Sequence, residues 1–214
     1  MFKAIYFLLV LTSFVALANT PLGTVTHVEG KVKIHQDGSP RGQRVRTTPV
    51  TINQGQFVRT FANSSARVKL YDDSKILVTE NATLEFTDNR NLTVEQGRIL
   101  FSINKRDAIH SLNILTKTAV IGVKGTQFLV EANGDEALLY LKEGEVEVKS
   151  LAQEFEDFKA EYEQFKKDYL KEFAEFKKSM SVKAGVTISI GKQGLREIST
   201  PAEIEVLFKE LDEF

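Results

Sequence analysis

Apolar and polar residues alternate with a period of two through most of residues 24–149. Val32 and Ile34 are separated by a lysine, and Phe128 and Val130 keep the same spacing much later in the chain. This pattern is typical of strands that bury one face and leave the other in water. The sequence therefore predicts a mainly β domain.

Turn signals separate these apolar runs at short intervals. The strongest is Asn133-Gly134, a dipeptide favoured in two-residue hairpin turns. The others are Glu29-Gly30, Asp72-Asp73-Ser74, Gln96-Gly97 and Glu143-Gly144. Many short strands with regular turns favour an antiparallel, jelly-roll-like sandwich or roll.

The period changes to three and four residues in 151–180, a stretch without Gly or Pro, which predicts one long inserted helix. Its apolar positions form a stripe rich in aromatic residues. The stripe residues that we consider a candidate interaction face are Phe155, Phe158, Tyr162, Phe165, Tyr169, Phe173 and Phe176. We expect the helix to lie flat on its own domain through this stripe. The alternatives are a partner helix, a second copy of the chain, or a membrane surface.

Membrane binding ranks last among these alternatives, because lysines and acidic residues are mixed on the polar side of the helix. Residues 181–199 return to strand-like alternation, which predicts a further β segment of the same domain. Residues 200–214 predict a short C-terminal helix, in which Thr200 and Glu203 have the spacing of a capping box.

The N-terminus has the features of an export signal. Residues 1–18 combine an early lysine, an apolar run and an Ala16-Leu17-Ala18 ending that resembles a cleavage site. The run of about 15 apolar residues is shorter than a membrane span requires. We therefore expect cleavage after Ala18, a β-domain over 19–150, and an exported protein in the periplasm or secreted, without stable membrane insertion.

Composition removes several function classes. The net charge is −1, which gives no global electrostatic case for nucleic acid. The chain has no Cys, which excludes thiolate metal sites, disulfides and Cys nucleophiles, and its three His argue against a His-rich metal site. No lipase-type nucleophile elbow, zinc-protease motif or phosphate-binding loop is present. We predict no catalytic, cofactor-binding or metal site and no cofactor.

Residues 116–130, TKTAVIGVKGTQFLV, carry the most specific motif. It resembles the signature of the FecR domain family, a pattern of roughly T-P-x-A-x-x-x-V-R-G-T-x-F-x-V. Lys117 stands where the family usually has Pro, and Lys124 where it usually has Arg. The motif residues, to which we assign a structural role, are Thr116, Ala119, Gly122, Val123, Lys124, Gly125, Thr126 and Phe128.

Other segments between about 22 and 150 resemble further FecR turns in the same order. The resemblance implies an all-β, jelly-roll-like domain outside the cytoplasm. The family's namesake relays signals from an outer-membrane receptor to a sigma factor through a cytoplasmic region and a membrane helix. This chain shows only an expected signal peptide, so the resemblance implies a stand-alone binding or scaffolding module.

Three surface features are candidates for chemistry. Arg41, Arg44 and Arg46 form a basic loop that could contact an anion or a sugar phosphate. The pair Asp72-Asp73 and the alternating Glu131, Asn133 and Asp135 could bind a cation. Hairpin turns are the better interpretation of both acidic segments.

The sequence thus favours an exported, non-catalytic FecR-like binding or scaffolding module of the bacterial cell envelope. Its partner would be an envelope protein or a polysaccharide. A monomer is favoured, with a homodimer as the alternative. The second hypothesis is a periplasmic signalling accessory that contacts a membrane sensor or outer-membrane receptor. The third is a carbohydrate-active enzyme.

Overall fold

A computed structural model describes residues 20–36, 39, 41–105, 111–151, 179–192, 194–201 and 203–213 of the 214-residue chain. This described part holds 17 strands and one helix, α1, at Glu203–Asp212. The strands are Pro21–Glu29 (β1), Val32–Gln36 (β2), Gln43–Arg44 (β3), Val50–Asn53 (β4), Gln56–Thr60 (β5), Ser65–Leu70 (β6), Lys75–Val78 (β7), Thr83–Phe86 (β8), Asn91–Ser102 (β9), Leu112–Leu115 (β10), Ala119–Val123 (β11), Gln127–Asn133 (β12), Glu136–Glu143 (β13), Glu145–Ser150 (β14), Ser179–Lys183 (β15), Thr187–Gly191 (β16) and Gly194–Ile198 (β17).

The strands form two sheets that share β9. One sheet, which we call the helix-side sheet, has the order β4-β1-β6-β7-β9-β12-β13-β16-β17. The other, the far sheet, has the order β3-β2-β5-β8-β9-β10-β11-β14-β15. All neighbours are antiparallel except β9 and β10, which are parallel. The mainly β prediction is confirmed; this strand order does not confirm a jelly roll.

Strand β9 passes from one sheet to the other without a turn. Its first half pairs with β8 and β10, and its second half pairs with β7 and β12. The transition falls at Gly97, whose φ is +81°, and a Cβ there would lie 2.6 Å from the Cα of Ala82. The prediction of a turn at Gln96-Gly97 is therefore wrong, because the glycine bends a continuous strand.

One apolar core lies between the two sheets. Alternate residues of both sheets point into it, which is the packing that the period-two pattern requires. Val25, Phe86, Phe101 and Phe128 are among its fully buried side chains. The rings of Phe101 and Phe128 stack with their centroids 4.9 Å apart, joining β9 to β12 at the centre of the helix-side sheet.

Helix α1 covers a second apolar cluster on the outer face of the helix-side sheet. Ile204, Phe208 and Leu211 of the helix are buried there against side chains of β7, β9, β12 and β13. The sheet residues in this cluster are Leu77, Leu100, Leu129 and Tyr140. Strands β7, β9 and β12 are therefore apolar on both faces in this region.

Several local predictions can be compared with the structure. The hairpin predicted at Asn133-Gly134 is present, because β12 and β13 pair directly on either side of it. The short C-terminal helix is also present. Its expected capping box is wrong, since the Glu203 carboxylate contacts Arg98 and the Thr200 hydroxyl lies 2.7 Å from that of Thr187.

The long helix predicted over 151–180 lies mostly on residues 152–178, outside the described residues. Its predicted end is wrong, because Ser179 and Met180 belong to β15, which pairs with β14. Strand β16 pairs with β13, and β17 pairs with β16. The export signal at 1–18 also lies outside the described residues. Within the described ranges, no helix has the length and apolar character that crossing a membrane requires.

Candidate functional site

The FecR-like motif crosses from the far sheet to the helix-side sheet. Its first part ends in β11, and its last part begins β12. The Thr116 hydroxyl accepts a hydrogen bond from the backbone N–H of Ala119 at 3.0 Å, which closes the turn before β11. Ala119, Val123 and Phe128 are fully buried. These motif side chains therefore lie in the core, out of reach of a ligand.

Gly125 stands at the crossing between the two strands. Its φ is +79°, a backbone conformation that residues with a side chain rarely adopt. A Cβ there would lie 3.0 Å from the Cα and 2.7 Å from the Cγ of Lys105. Gly122 differs, because it has no such φ and its nearest contacts to a Cβ would begin at 3.7 Å. A side chain would therefore be strained at Gly125 but is accommodated at Gly122.

The two motif residues beside Gly125 differ in exposure. Lys124 is exposed, and it takes part in no ion pair with another described residue. Thr126 is 2% exposed, and its hydroxyl has no hydrogen-bond partner among the residues that the structure describes. It lines a shallow depression of about 220 Å³ together with Lys105, Gln127 and Glu143.

The basic loop borders a larger cleft. Arg44 and Arg46 line a space of about 570 Å³ between the edge strands β3 and β4, where the two sheets part. Arg41 is exposed and is not part of the lining. Polar and apolar residues share the rest of the wall: Ile34, Gln43, Val45, Thr47, Val50, Thr51 and Gln56. The structure thus brings together two of the three predicted arginines.

A row of three cations adjoins this cleft on the far sheet. Lys33 on β2 lies directly opposite Arg44 on β3, and it also lies opposite Arg59 on β5. Val32 and Val58 are fully buried, so their neighbours Lys33 and Arg59 point to the outer face. Arg44 shares that face, because directly opposed residues of an antiparallel pair lie on the same side. The three strands place the row across roughly 10 Å.

The ring of Phe61, beside this row, lies close to three cationic groups. The Lys31 ammonium lies 4.3 Å from the ring centroid, the Arg59 guanidinium 5.4 Å and the Lys33 ammonium 5.9 Å. On the other side of the row, the rings of His35 and Phe57 stack at 4.8 Å. Lys31, Lys33, Arg44 and Arg59, with Phe61, form a surface that we call the cationic face.

Sequence reasoning missed three of the four cations of this face. Lys33 on β2 and Arg59 on β5 stand at alternating positions of their strands, and Lys31 directly precedes β2, which indicates only that these side chains point outward. The pairing of β2 with both β3 and β5 brings them together. The alternation of lysine with Val32 and Ile34 indicates that the lysines face outward. It does not indicate which strands lie beside them.

The acidic candidates for cation binding have protein partners instead. Asp72 accepts a hydrogen bond from the Ser74 hydroxyl at 2.8 Å, and Asp73 pairs with Lys69 at 2.7 Å. Glu131 pairs with Arg98 at 3.0 Å. Among the described residues, no group of three or more potential metal-ligating side chains comes together.

Asp135, the remaining candidate, joins three turns. It pairs with Lys117 of the β10–β11 turn and with Lys192 of the β16–β17 turn. A hydrogen bond from Lys117, which has the larger effect, and one from Lys192 lower the pKa of the Asp135 carboxyl to about 2. Lys117 therefore has a structural partner at the position where the FecR pattern usually has Pro. The aromatic stripe from Phe155 to Phe176 lies outside the described residues.

Comparison with known proteins agrees with the motif. Residues 56–147 match the FecR protein family. The match confirms the resemblance expected from the sequence and runs from β5 into β14. Within the cationic face, Arg59 and Phe61 fall inside the FecR match, whereas Lys31, Lys33 and Arg44 precede it. No curated protein matches the chain.

Solved structures with a similar fold exist. Two crystal structures, at 2.50 and 1.65 Å, are of a "putative anti-sigma factor" from Parabacteroides distasonis ATCC 8503. Each is 16% identical to this chain with a TM-score of 0.50 and covers 72% of it. The aligned region spans 63% and 64% of the two matched chains, less than two thirds of their length. At this identity the similarity establishes a shared fold.

Proposed function

We propose that the protein is an exported, non-catalytic FecR-type module that binds a partner in the bacterial cell envelope through its cationic face. The observation that carries the proposal is the row of Arg44, Lys33 and Arg59. Cations placed directly opposite one another repel and destabilise a sheet. A bound anionic partner relieves that repulsion, which gives the row a role in binding.

The division of the chain into core and surface supports this proposal. Most of the FecR motif is buried and maintains the crossing between the sheets, so it leaves little surface for a partner. Lys31, Arg44 and Arg59 are exposed. Together with Lys33 they take part in no ion pair with another described residue. Their charges are therefore available to a partner.

Export and binding can be tested together in the native host. A photo-crosslinking residue at position 31 reports contacts of the cationic face, and the same residue at position 196, on β17, serves as the control. We expect light-dependent adducts from position 31 that are absent or much weaker from position 196. The intact mass of the recovered protein should correspond to Asn19 as its first residue.

Two outcomes would contradict the proposal. Equal adduct formation from both positions would show that the cationic face is not the binding surface. Recovery of a full-length chain that is held in the inner membrane would contradict the proposal that the protein is exported. Release of shortened glycan chains by the purified protein would instead support the third hypothesis, a carbohydrate-active enzyme.

A signalling accessory is the second candidate function. It is favoured by the FecR match and by the shared fold with the P. distasonis protein. In this case the partner is a membrane sensor or an outer-membrane receptor. Deletion of the gene should then change transcription from one sigma-factor-dependent promoter set, and a chain with Lys33→Gln and Arg59→Gln should fail to restore it. Unchanged transcription after deletion would exclude this alternative.

A further inference from the structure

The cationic face and the cleft beside it form one continuous surface, which indicates the chemistry of the partner. Arg44 belongs to both, because it ends the row of cations and also lines the cleft. The surface therefore runs from Arg59 through Lys33 and Arg44 into the space between β3 and β4. An extended ligand could lie along it.

Charge determines the first property of the ligand. Two arginines and two lysines contribute four positive charges to the cationic face, and Arg46 adds a fifth at the cleft. Guanidinium groups bind carboxylates and phosphates through paired hydrogen bonds, and ammonium groups add point charges. A ligand with acidic groups repeated along its length would contact the cations in succession.

The lining of the cleft determines the second property. Gln43, Thr47, Thr51 and Gln56 offer amide and hydroxyl groups that both donate and accept hydrogen bonds. Sugar hydroxyls also donate and accept. An acidic peptide that docks through large anchor residues would favour a deep apolar pocket. The apolar residues of this cleft are limited to Ile34, Val45 and Val50.

From these observations we infer that the surface formed by Arg59, Lys33, Arg44 and the cleft binds an acidic polysaccharide. The sugar units occupy the polar cleft, and the acidic groups lie over the row of cations. This inference rests on the proposed function and names the chemistry of its partner. It makes a polysaccharide, not an envelope protein, the ligand of this face.

Affinity measurements on the full mature chain test the inference. The probes are polygalacturonate, which carries carboxylates, and phosphomannan, which carries phosphates; neutral dextran and polyglutamate are the comparators. We expect the chain to bind at least one acidic polysaccharide, not to bind dextran, and to bind polyglutamate more weakly. Affinity should fall as salt rises, because exposed charges are screened.

Charge-matched variants separate the surface from the net charge. Lys33→Gln with Arg59→Gln should weaken polysaccharide binding by about tenfold or more, because charge-assisted hydrogen bonds are removed. Arg196→Gln with Lys209→Gln removes the same charge from exposed positions on β17 and α1, on the helix side of the protein, and should bind like the wild type. Gln43→Ala with Thr51→Ala should weaken binding without changing the net charge. Thermal unfolding of every variant checks that the fold is retained.

The outcomes distinguish this inference from the broader function. Failure to bind either acidic polysaccharide would overturn it, and so would equal loss in the two charge variants. Tighter binding of polyglutamate would also overturn it and indicate an acidic protein segment. If position 31 still forms adducts with a protein in the envelope, the proposed binding function stands although the polysaccharide is excluded.

Discussion

The hydroxyl of Tyr140, on β13, donates a hydrogen bond to the carboxylate of Glu205, on α1, 65 residues further along the chain. Two ion pairs accompany this contact. Arg98 pairs with Glu203 at 3.0 Å near the start of the helix, and Lys142 pairs with Asp212 at 2.8 Å at its end. Polar contacts therefore surround the apolar contact between α1 and the sheet.

The first prediction concerns the apolar contact of α1. Phe208 is fully buried against Leu77, Leu100, Leu129 and Tyr140. Phe208→Ala should lower the free energy of unfolding by about 3 kcal/mol, because it removes a buried ring and leaves a cavity. Urea unfolding measures the change. Val206→Ala, on the 59% exposed residue of the same helix, should stay within about 0.5 kcal/mol of the wild type.

The second prediction concerns alkaline pH. Burial, followed by the hydrogen bond to Glu205 and its charge, raises the pKa of Tyr140 to about 12 from an ordinary value of 10.0. The neutral phenol is therefore the form that the folded state favours. Its contribution to stability is complete below pH 10 and is lost as pH rises towards 12.

Tyr140→Phe tests this pH dependence. The variant should lose roughly 1 kcal/mol at neutral pH, the net contribution of a hydrogen bond. It should also lose less stability than the wild type between pH 10 and 12, because it lacks the titrating group. Chemical unfolding at a series of pH values gives the comparison. Parallel curves for both proteins would show that Tyr140 does not titrate in the folded state as described.

The third prediction concerns the FecR motif. Gly125→Ala should cost about 1–3 kcal/mol, because φ at this position is +79° and Lys105 occupies the space of a Cβ. Gly125→Val should cost more, since a branched side chain resists this conformation. Gly122→Ala is the matched control from the same motif and should cost little. Thermal unfolding that leaves Gly125→Val unchanged would contradict the structural role of the motif.

The fourth prediction concerns the aromatic stripe expected in residues 151–180. If the stripe packs on the chain's own domain, Phe158→Ser with Phe165→Ser should lower the melting temperature of a protein that sediments as a monomer. A wild-type dimer that the double variant converts into a monomer of unchanged stability would show instead that the stripe is a partner interface. Sedimentation and thermal unfolding of both proteins decide between these results.

Local sequence patterns predicted the identity of many elements. Val32 and Ile34 alternate with lysines because a strand buries every second side chain. Asn133-Gly134 predicted a hairpin because glycine adopts a positive φ without strain, and Gly134 has a φ of +63°. The same kind of signal failed at Gln96-Gly97, because a positive φ also bends a continuous strand.

The sequence by itself determined that the chain is mainly β, that a short helix ends it, and that residues 116–130 follow the FecR pattern. These properties depend on side-chain spacing and backbone preferences within a few residues of one another. Only the tertiary structure decided that β9 serves two sheets, that α1 covers Leu77 and Leu100, and that Arg44, Lys33 and Arg59 form one row. Strand order and register arise from contacts between segments far apart in the chain, and alternation within one strand carries no information about which strand lies beside it.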